Sequence, residues 1–261
     1  MTLSTKLRGA TALFATAATL ALANPAFADD DAFDLQSMTP EQREAFGEAV
    51  RAYLLENPQV IMEAVAVLEE RESQQQAAAD VALVDDNAQA LFDDGFSWVG
   101  GNPDGDITVV EFIDYRCGYC RRAHPEVEEL ISSDGNIRFI VKEFPILGEA
   151  SLLSSRFALA TLLVEGDEAY KAVHDALVAL DGNPTEAALR RMADTLGYGA
   201  DAILARMNDP EIDRRIAETR ALAQRMQING TPSFVMGDQM VRGYVPLAGM
   251  RQIIAEARND G

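Results

Sequence analysis

Ile107-Thr108-Val109-Val110-Glu111-Phe112-Ile113 is followed, four positions on, by Cys117-Gly118-Tyr119-Cys120, and this stretch decides the fold. The β-branched and bulky residues of the first segment predict a buried strand. A helical pattern starts at Tyr119 and runs to about Ile131. The cysteines therefore stand at a strand-to-helix junction, Cys117 at the helix N-terminus and Cys120 one turn on, on the same face. Residues 137–142 predict a second strand, and 148–227 a helical block with Pro184 in a first turn and Gly197 and Gly199 as stops. Residues 233–236 and 239–242 flank a Gly237-Asp238 turn as a hairpin, and 246–258 predict a closing helix. The order describes an α/β protein, a small mixed sheet with a helical insertion. Residues 100–106 read as a plain loop, with acids too few and wrongly spaced for a calcium loop.

A disulfide within C-x-x-C closes too short a loop to be a useful staple. The chain-entropy relation gives about 2 kcal/mol for four residues against about 4.7 for a hundred. Reactivity is the better explanation. Helix amides and dipole stabilise a Cys117 thiolate, with Arg116, Arg121 and Arg122 nearby. Each unit of lowered pKa favours thiolate by about 1.4 kcal/mol, which favours the reduced pair and makes its disulfide more oxidising. Two other readings stay open: an inert structural pair, and a metal site using Cys117, Cys120 and His124 as soft ligands. A closed zinc site wants four ligands, and there is no third cysteine. His124, ahead of Pro125, reads more simply as a helix-surface residue, and His174 has no partner that can be named from sequence.

The chain has 261 residues, 48% of them hydrophobic, which supports one or two buried cores. Its formal charge of −20 repels phosphate backbones and anionic headgroups, setting nucleic acid and membrane surfaces aside as partners. Lys6 and Arg8, the apolar run 10–23 and Ala26-Phe27-Ala28 predict a secretory signal over residues 1–28. An uncleaved anchor is the alternative, but the run is short for a span. The export compartment tolerates disulfides.

Between the leader and the sheet, Thr39-Pro40-Glu41-Gln42 combines an N-cap, a first-turn proline and a capping-box glutamine, predicting a helix to about Leu55. Asn57-Pro58 opens a second helix whose broad apolar stripe, Ile61, Val65 and Leu68, is placed to pack on Val50, Tyr53 and Leu54. Two helices bury little alone, so the segment is expected to cover its stripe with another copy or with the downstream domain. Residues 69–79 are polar, alanine-rich and without an apolar face, a connector either helical or mobile.

The chain resembles the thioredoxin-fold disulfide oxidoreductases of the DsbA-like family, most closely the branch containing the suppressor-of-copper-sensitivity C proteins. The resemblance rests on Gly101-Asn102-Pro103 ahead of Val109-Val110-Glu111-Phe112, on Cys117-Gly118-Tyr119-Cys120, on Lys142-Glu143-Phe144-Pro145-Ile146-Leu147-Gly148 and on Asn229-Gly230-Thr231-Pro232-Ser233-Phe234. It covers about residue 99 to the end. It implies a thioredoxin fold over 93–261 with an insertion at about 148–227, preceded by an oligomerising helical segment over 29–92.

By the same resemblance Cys117 is the attacking thiolate and Cys120 the resolving thiol. Gly118 and Tyr119 contact substrate, as does the loop of Thr231 and a cis Pro232. A cis proline offers no amide hydrogen to compete for the sulfur, and the Thr231 backbone can pair with an extended client strand. Glu111 matches the family's buried acid, with Lys142 on the neighbouring strand as its expected partner in taking the Cys120 proton. The plainer alternative has Lys142 at a solvated strand end and Glu111 tolerated at an edge.

The implied activity is thiol–disulfide exchange on exported, disulfide-containing proteins in the periplasm, with a membrane electron-transfer partner and no cofactor. The Gly-Tyr dipeptide, the threonine before Pro232 and the N-terminal helices resemble the family's isomerases, which assemble as a trimer or else a dimer. A monomeric oxidase and a Cu(I)-binding copper-tolerance protein are the alternatives.

Overall fold

The computed structural model describes residues 37–260, so the expected leader lies outside the described residues. Two compact units divide the chain, one through Glu63 and one from Ala64 on.

In the first unit, α1 (Pro40–Glu56) is closed by the expected capping box. Thr39 Oγ1 accepts from the Gln42 amide at 3.3 Å and Gln42 Oε1 accepts from the Thr39 amide at 2.9 Å. α2 (Gln59–Asp86) begins here. α1 buries no residue, and Val50, Tyr53 and Ile61 are exposed. Within this unit the expected packing of the two helices leaves the apolar stripe open.

The polar stretch 69–79 is continuous helix, and α2 carries on into the second unit, where Asp80 and Val84 are buried. The division after Glu63 therefore falls within α2, inside the expected 29–92 segment. α3 (Ala88–Phe92), β1 (Trp98–Gly101), β2 (Ile107–Ile113), α4 (Gly118–Asp134) and β3 (Ile137–Glu143) follow. Then come the inserted helices α5 (Glu149–Glu165), α6 (Asp167–Ala179), α7 (Glu186–Leu196), α8 (Ala200–Arg206) and α9 (Pro210–Arg225). β4 (Ser233–Met236), β5 (Gln239–Arg242) and α10 (Leu247–Asp260) close the chain. The sheet order is β1-β3-β2-β4-β5, with β2 and β3 parallel and every other pair antiparallel. This is a thioredoxin-like sheet with a helical insertion.

β1 corrects the expected loop. Its four residues pair with β3, and Trp98 Nε1 donates to the Asp167 carbonyl at 3.1 Å. Gly101 ends the strand at φ +68°, where a Cβ would sit 2.4 Å from the Ile137 carbonyl oxygen, so no other residue fits.

Both faces of the sheet are covered, which is why β2 is apolar apart from Thr108 and Glu111. Val109, Ile113, Phe139, Val141 and Phe234 share one core with α4 and the inserted helices. Val110, Phe112, Ile140 and Val235 share the other with Val84, Leu91 and Leu222. Cross-strand partners fix who shares a face: Glu111 stands opposite Val141, while Phe112 stands opposite Lys142. Side chains alternate along a strand, so Glu111 and Lys142 lie on opposite sides of the sheet. The expected Glu111–Lys142 pair does not form.

Candidate active site

β2 delivers the chain to a tight junction held by Asp114. Its carboxylate accepts from the Arg116 amide at 2.8 Å and from the Ile146 and Leu147 amides at 2.8 and 3.0 Å, and its carbonyl accepts from the Cys117 amide at 3.0 Å. One buried carboxylate thus fixes both the cysteine loop and the segment after β3. Sequence reading passed over it.

Cys117 is the N-cap of α4, with extended backbone and no capping bond from its own sulfur. Both cysteines are free thiols, Cys120 fully buried and Cys117 8% exposed. The Thr231–Pro232 bond is cis, and Cys117 Sγ lies 3.0 Å from the Thr231 carbonyl oxygen. That contact suits the thiol, which can donate to a carbonyl. The thiolate is held instead by the Cys120 thiol first, then by the amides of Cys120 and Tyr119, which bring Cys117 down to about 5 against its partial burial. Burial, followed by the hydrogen bond to Cys117, pushes Cys120 far up. The pair is thus split into a ready nucleophile and a thiol that keeps its proton. The arginines are engaged elsewhere: Arg116 donates to the Gly182 carbonyl, Arg121 pairs with Asp181, and Arg122 lies over the Tyr244 ring. Tyr119 is exposed and stacks on Tyr244 at 6.5 Å.

Glu111 is buried on the sulfur side of the sheet, and its Oε1 has no hydrogen-bond partner among the described residues. Burial raises it to about 8, helped by the charges of Glu128, Cys117 and Glu143. Lys142 is also buried, but its Nζ meets Asp94 at 2.5 Å and the Ala90 carbonyl at 2.9 Å on the far side. It anchors α3 and the loop after it.

Beside Glu111 lies a group that sequence reading did not find. Tyr115 and Tyr170 hydroxyls donate to the same Glu143 oxygen at 2.7 and 2.6 Å, and the Tyr115 oxygen is 3.0 Å from His174 Nδ1. Burial holds Glu143 up at about 7 and His174 down at about 3. Of the sequence-predicted residues, Cys117, Cys120, Thr231 and Pro232 meet at one point, and Lys142 does not join them. His124 turns towards α6, where the ligand-type atoms near it come from His174 and Asp175 and not from the cysteines.

A thioredoxin-like sheet with two thiols at the head of the helix that follows β2 and a cis proline across from them defines a dithiol–disulfide protein. Residues 108–255 match the DSBA-like thioredoxin domain, and the chain belongs to that family of thiol-disulfide oxidoreductases. Residues 42–77 match the copper resistance protein ScsC N-terminal domain. A thioredoxin-like oxidoreductase from Silicibacter pomeroyi DSS-3 is 42% identical, covering 66% of this chain and 98% of its own, with a TM-score of 0.62. The thiol-disulfide exchange protein alpha-DsbA2 from Wolbachia pipientis is 26% identical over 69% of this chain and 96% of its own, with a TM-score of 0.64. The Na(+)/H(+) antiporter NhaA 1 of Salinispora arenicola is 30% identical over 166 residues, which are 61% of this chain and 24% of that protein. The chain spans about a quarter of the length of the curated relatives it matches.

Proposed function

We propose that the protein is a periplasmic thiol–disulfide exchange enzyme, acting as an isomerase on exported proteins. The observation that carries this reading is the Cys117 sulfur, lowered to about 5 at the head of α4 and 3.0 Å from the Thr231 carbonyl. The thiolate attacks one sulfur of a client disulfide; a mixed disulfide forms and the other client sulfur leaves as thiolate. Two exits follow. A second client thiolate attacks the client sulfur of the mixed disulfide, and Cys117 leaves as thiolate with no net electron transfer. Otherwise Cys120 gives its proton to the Glu111 carboxylate and attacks Cys117 Sγ, leaving the client reduced and the enzyme a disulfide. Forming the mixed disulfide removes the Cys117 charge, one of the charges that raise Glu111. Ionising Glu111 therefore becomes easier at the stage where a base is needed, although burial still raises it.

The isomerase assignment and the homo-oligomer, a trimer or else a dimer, rest on the uncovered α1 and on the match of residues 42–77 to the ScsC N-terminal domain. An oligomer would shield the sulfurs from a membrane oxidant and leave them to a membrane electron donor. That match also favours a second reading, Cu(I) held by the Cys117 and Cys120 thiolates.

The test is a scrambled-ribonuclease refolding assay on the chain from residue 29, run beside light scattering. Activity from an oligomer is expected, together with client proteins captured as mixed disulfides by Cys120→Ala. No client captured while Cys117 remains alkylatable would overturn the exchange reading. A monomer would overturn the isomerase reading.

A further inference from the structure

We propose that His124, His174 and Asp175 form a binding site for a zinc-class divalent cation that ties the active-site helix α4 to the inserted helix α6. One ligand atom from each residue lies within 4.8 Å of the others. His124 Nε2 and Asp175 Oδ1 are 3.1 Å apart, and the two imidazole rings are centred 5.3 Å apart. Bonds of about 2.0–2.1 Å to a tetrahedral zinc ion place neighbouring ligand atoms about 3.3 Å apart, so one edge of the polyhedron is already formed. The remaining separations close by rotation of His124 or Asp175, whose side chains are 16% and 42% exposed.

His174 is the fixed corner. Tyr115 spends its single hydroxyl hydrogen on Glu143, so its oxygen can only accept from His174 Nδ1–H at 3.0 Å. The ring is therefore held with its proton on Nδ1, which makes Nε2 the nitrogen that carries the lone pair. A second partner that sets tautomer and ring orientation in this way is the usual companion of a metal-ligating histidine. Two imidazoles and one carboxylate suit zinc, and three protein ligands leave a fourth position open. Asp175 now shares both its oxygens with Lys171 Nζ at 2.8 and 2.7 Å, and Lys171 also reaches Glu128 at 3.0 Å. The ammonium and the cation thus compete for one carboxylate. Tyr115 precedes Cys117 by two residues, so an occupied site would hold the cysteine loop and the insertion together.

The experiment uses the chain from residue 29 with Cys117→Ser and Cys120→Ser, which removes thiolate binding. Zn2+ is titrated calorimetrically, and Co2+ reports the coordination geometry through its visible absorption. One Zn2+ per chain is expected, with tetrahedral-type Co2+ bands. His124→Gln or Asp175→Asn should each weaken binding by about tenfold or more. Lys171→Gln should tighten it, because the competing cation is gone, and a correctly folded chain is needed for that gain to appear. The proposal fails if the serine variant binds no Zn2+, if neither His124→Gln nor Asp175→Asn weakens binding, or if Lys171→Gln weakens it.

Discussion

The two sides of the central sheet treat buried charge in opposite ways. Phe112, Lys142, Ser233 and Arg242 stand in one cross-strand row and so share a face. Both cations of that row have an aspartate: Lys142 has Asp94, and Arg242 has Asp80. The sulfur side carries Glu111 and Glu143, both buried, and neither pairs with a cation. Instead both are raised by burial, to about 8 and about 7. A paired buried charge fixes structure, since losing either partner strands the other. An unpaired buried acid can change its protonation with its surroundings, and here it does so next to a dithiol.

The comparison breaks most visibly at Lys142. Lys142→Met leaves the Asp94 carboxylate without its ammonium in a largely buried position. A loss of about 3–5 kcal/mol is expected, the cost of an uncompensated buried charge. Urea denaturation measures it. The rate of thiol exchange per folded molecule should stay unchanged, because Lys142 faces away from the sulfurs. A large fall in that rate, with stability intact, would place Lys142 in the reaction after all.

Glu111→Gln should behave in the reverse manner. Burial keeps Glu111 protonated up to about 8, whereas in the unfolded chain it ionises near 4.5. Between those values the folded state binds the extra proton, so this residue's contribution to stability declines as pH rises, and the loss is complete above 8. The glutamine variant has no such slope. Its stability relative to the parent should therefore grow from pH 4.5 to 8 by something on the order of a few kcal/mol. Cys117 acts with the opposite sign, since its lowered value adds stability as pH rises above 5. Resolution of a preformed mixed disulfide by Cys120 should slow by about 100-fold, read by quenched-flow alkylation. A flat stability difference, or unaltered resolution, would remove the contrast between the two sides.

How far these features were legible in the sequence follows the distance over which each is determined. The capping box at Thr39, the C-x-x-C at a strand–helix junction and the turn at Gly237-Asp238 involve residues within a few positions of each other, and all three take the form the local pattern implies. The placing of Lys142 beside Glu111 failed by one residue of register. Both strands were recognised and adjacent, but their partners, Glu111 with Val141, are set by the three-dimensional ladder. β1 escaped because its last two residues are glycines, which carry no strand pattern although the Trp98 ring against Gly100 and the Ile137 carbonyl against Gly101 leave no room for a side chain. His174 had no nameable partner because Tyr115 is 59 positions away in the chain. Lack of any local pattern hid the rest of that buried group, Glu143 and Tyr170, as well.

The smallest effect sharpens the comparison within one face. Asp80 is nearly buried and accepts both Arg242 guanidinium bonds at 2.6 and 2.8 Å, which lower its carboxyl below the usual range. Arg242, however, lies at the sheet edge with its side chain 36% exposed, where water screens the pair. Asp80→Asn should therefore cost only about 1 kcal/mol, well below the Lys142→Met loss, and part of that should vanish in high salt. The stability due to the pair is present at neutral pH and fades as pH falls through the lowered carboxyl value, so at low pH the variant and the parent should converge. If Asp80→Asn proved as damaging as Lys142→Met and insensitive to salt, exposure would not be what separates the two pairs. The end of α2 would then be held to the sheet as firmly as α3.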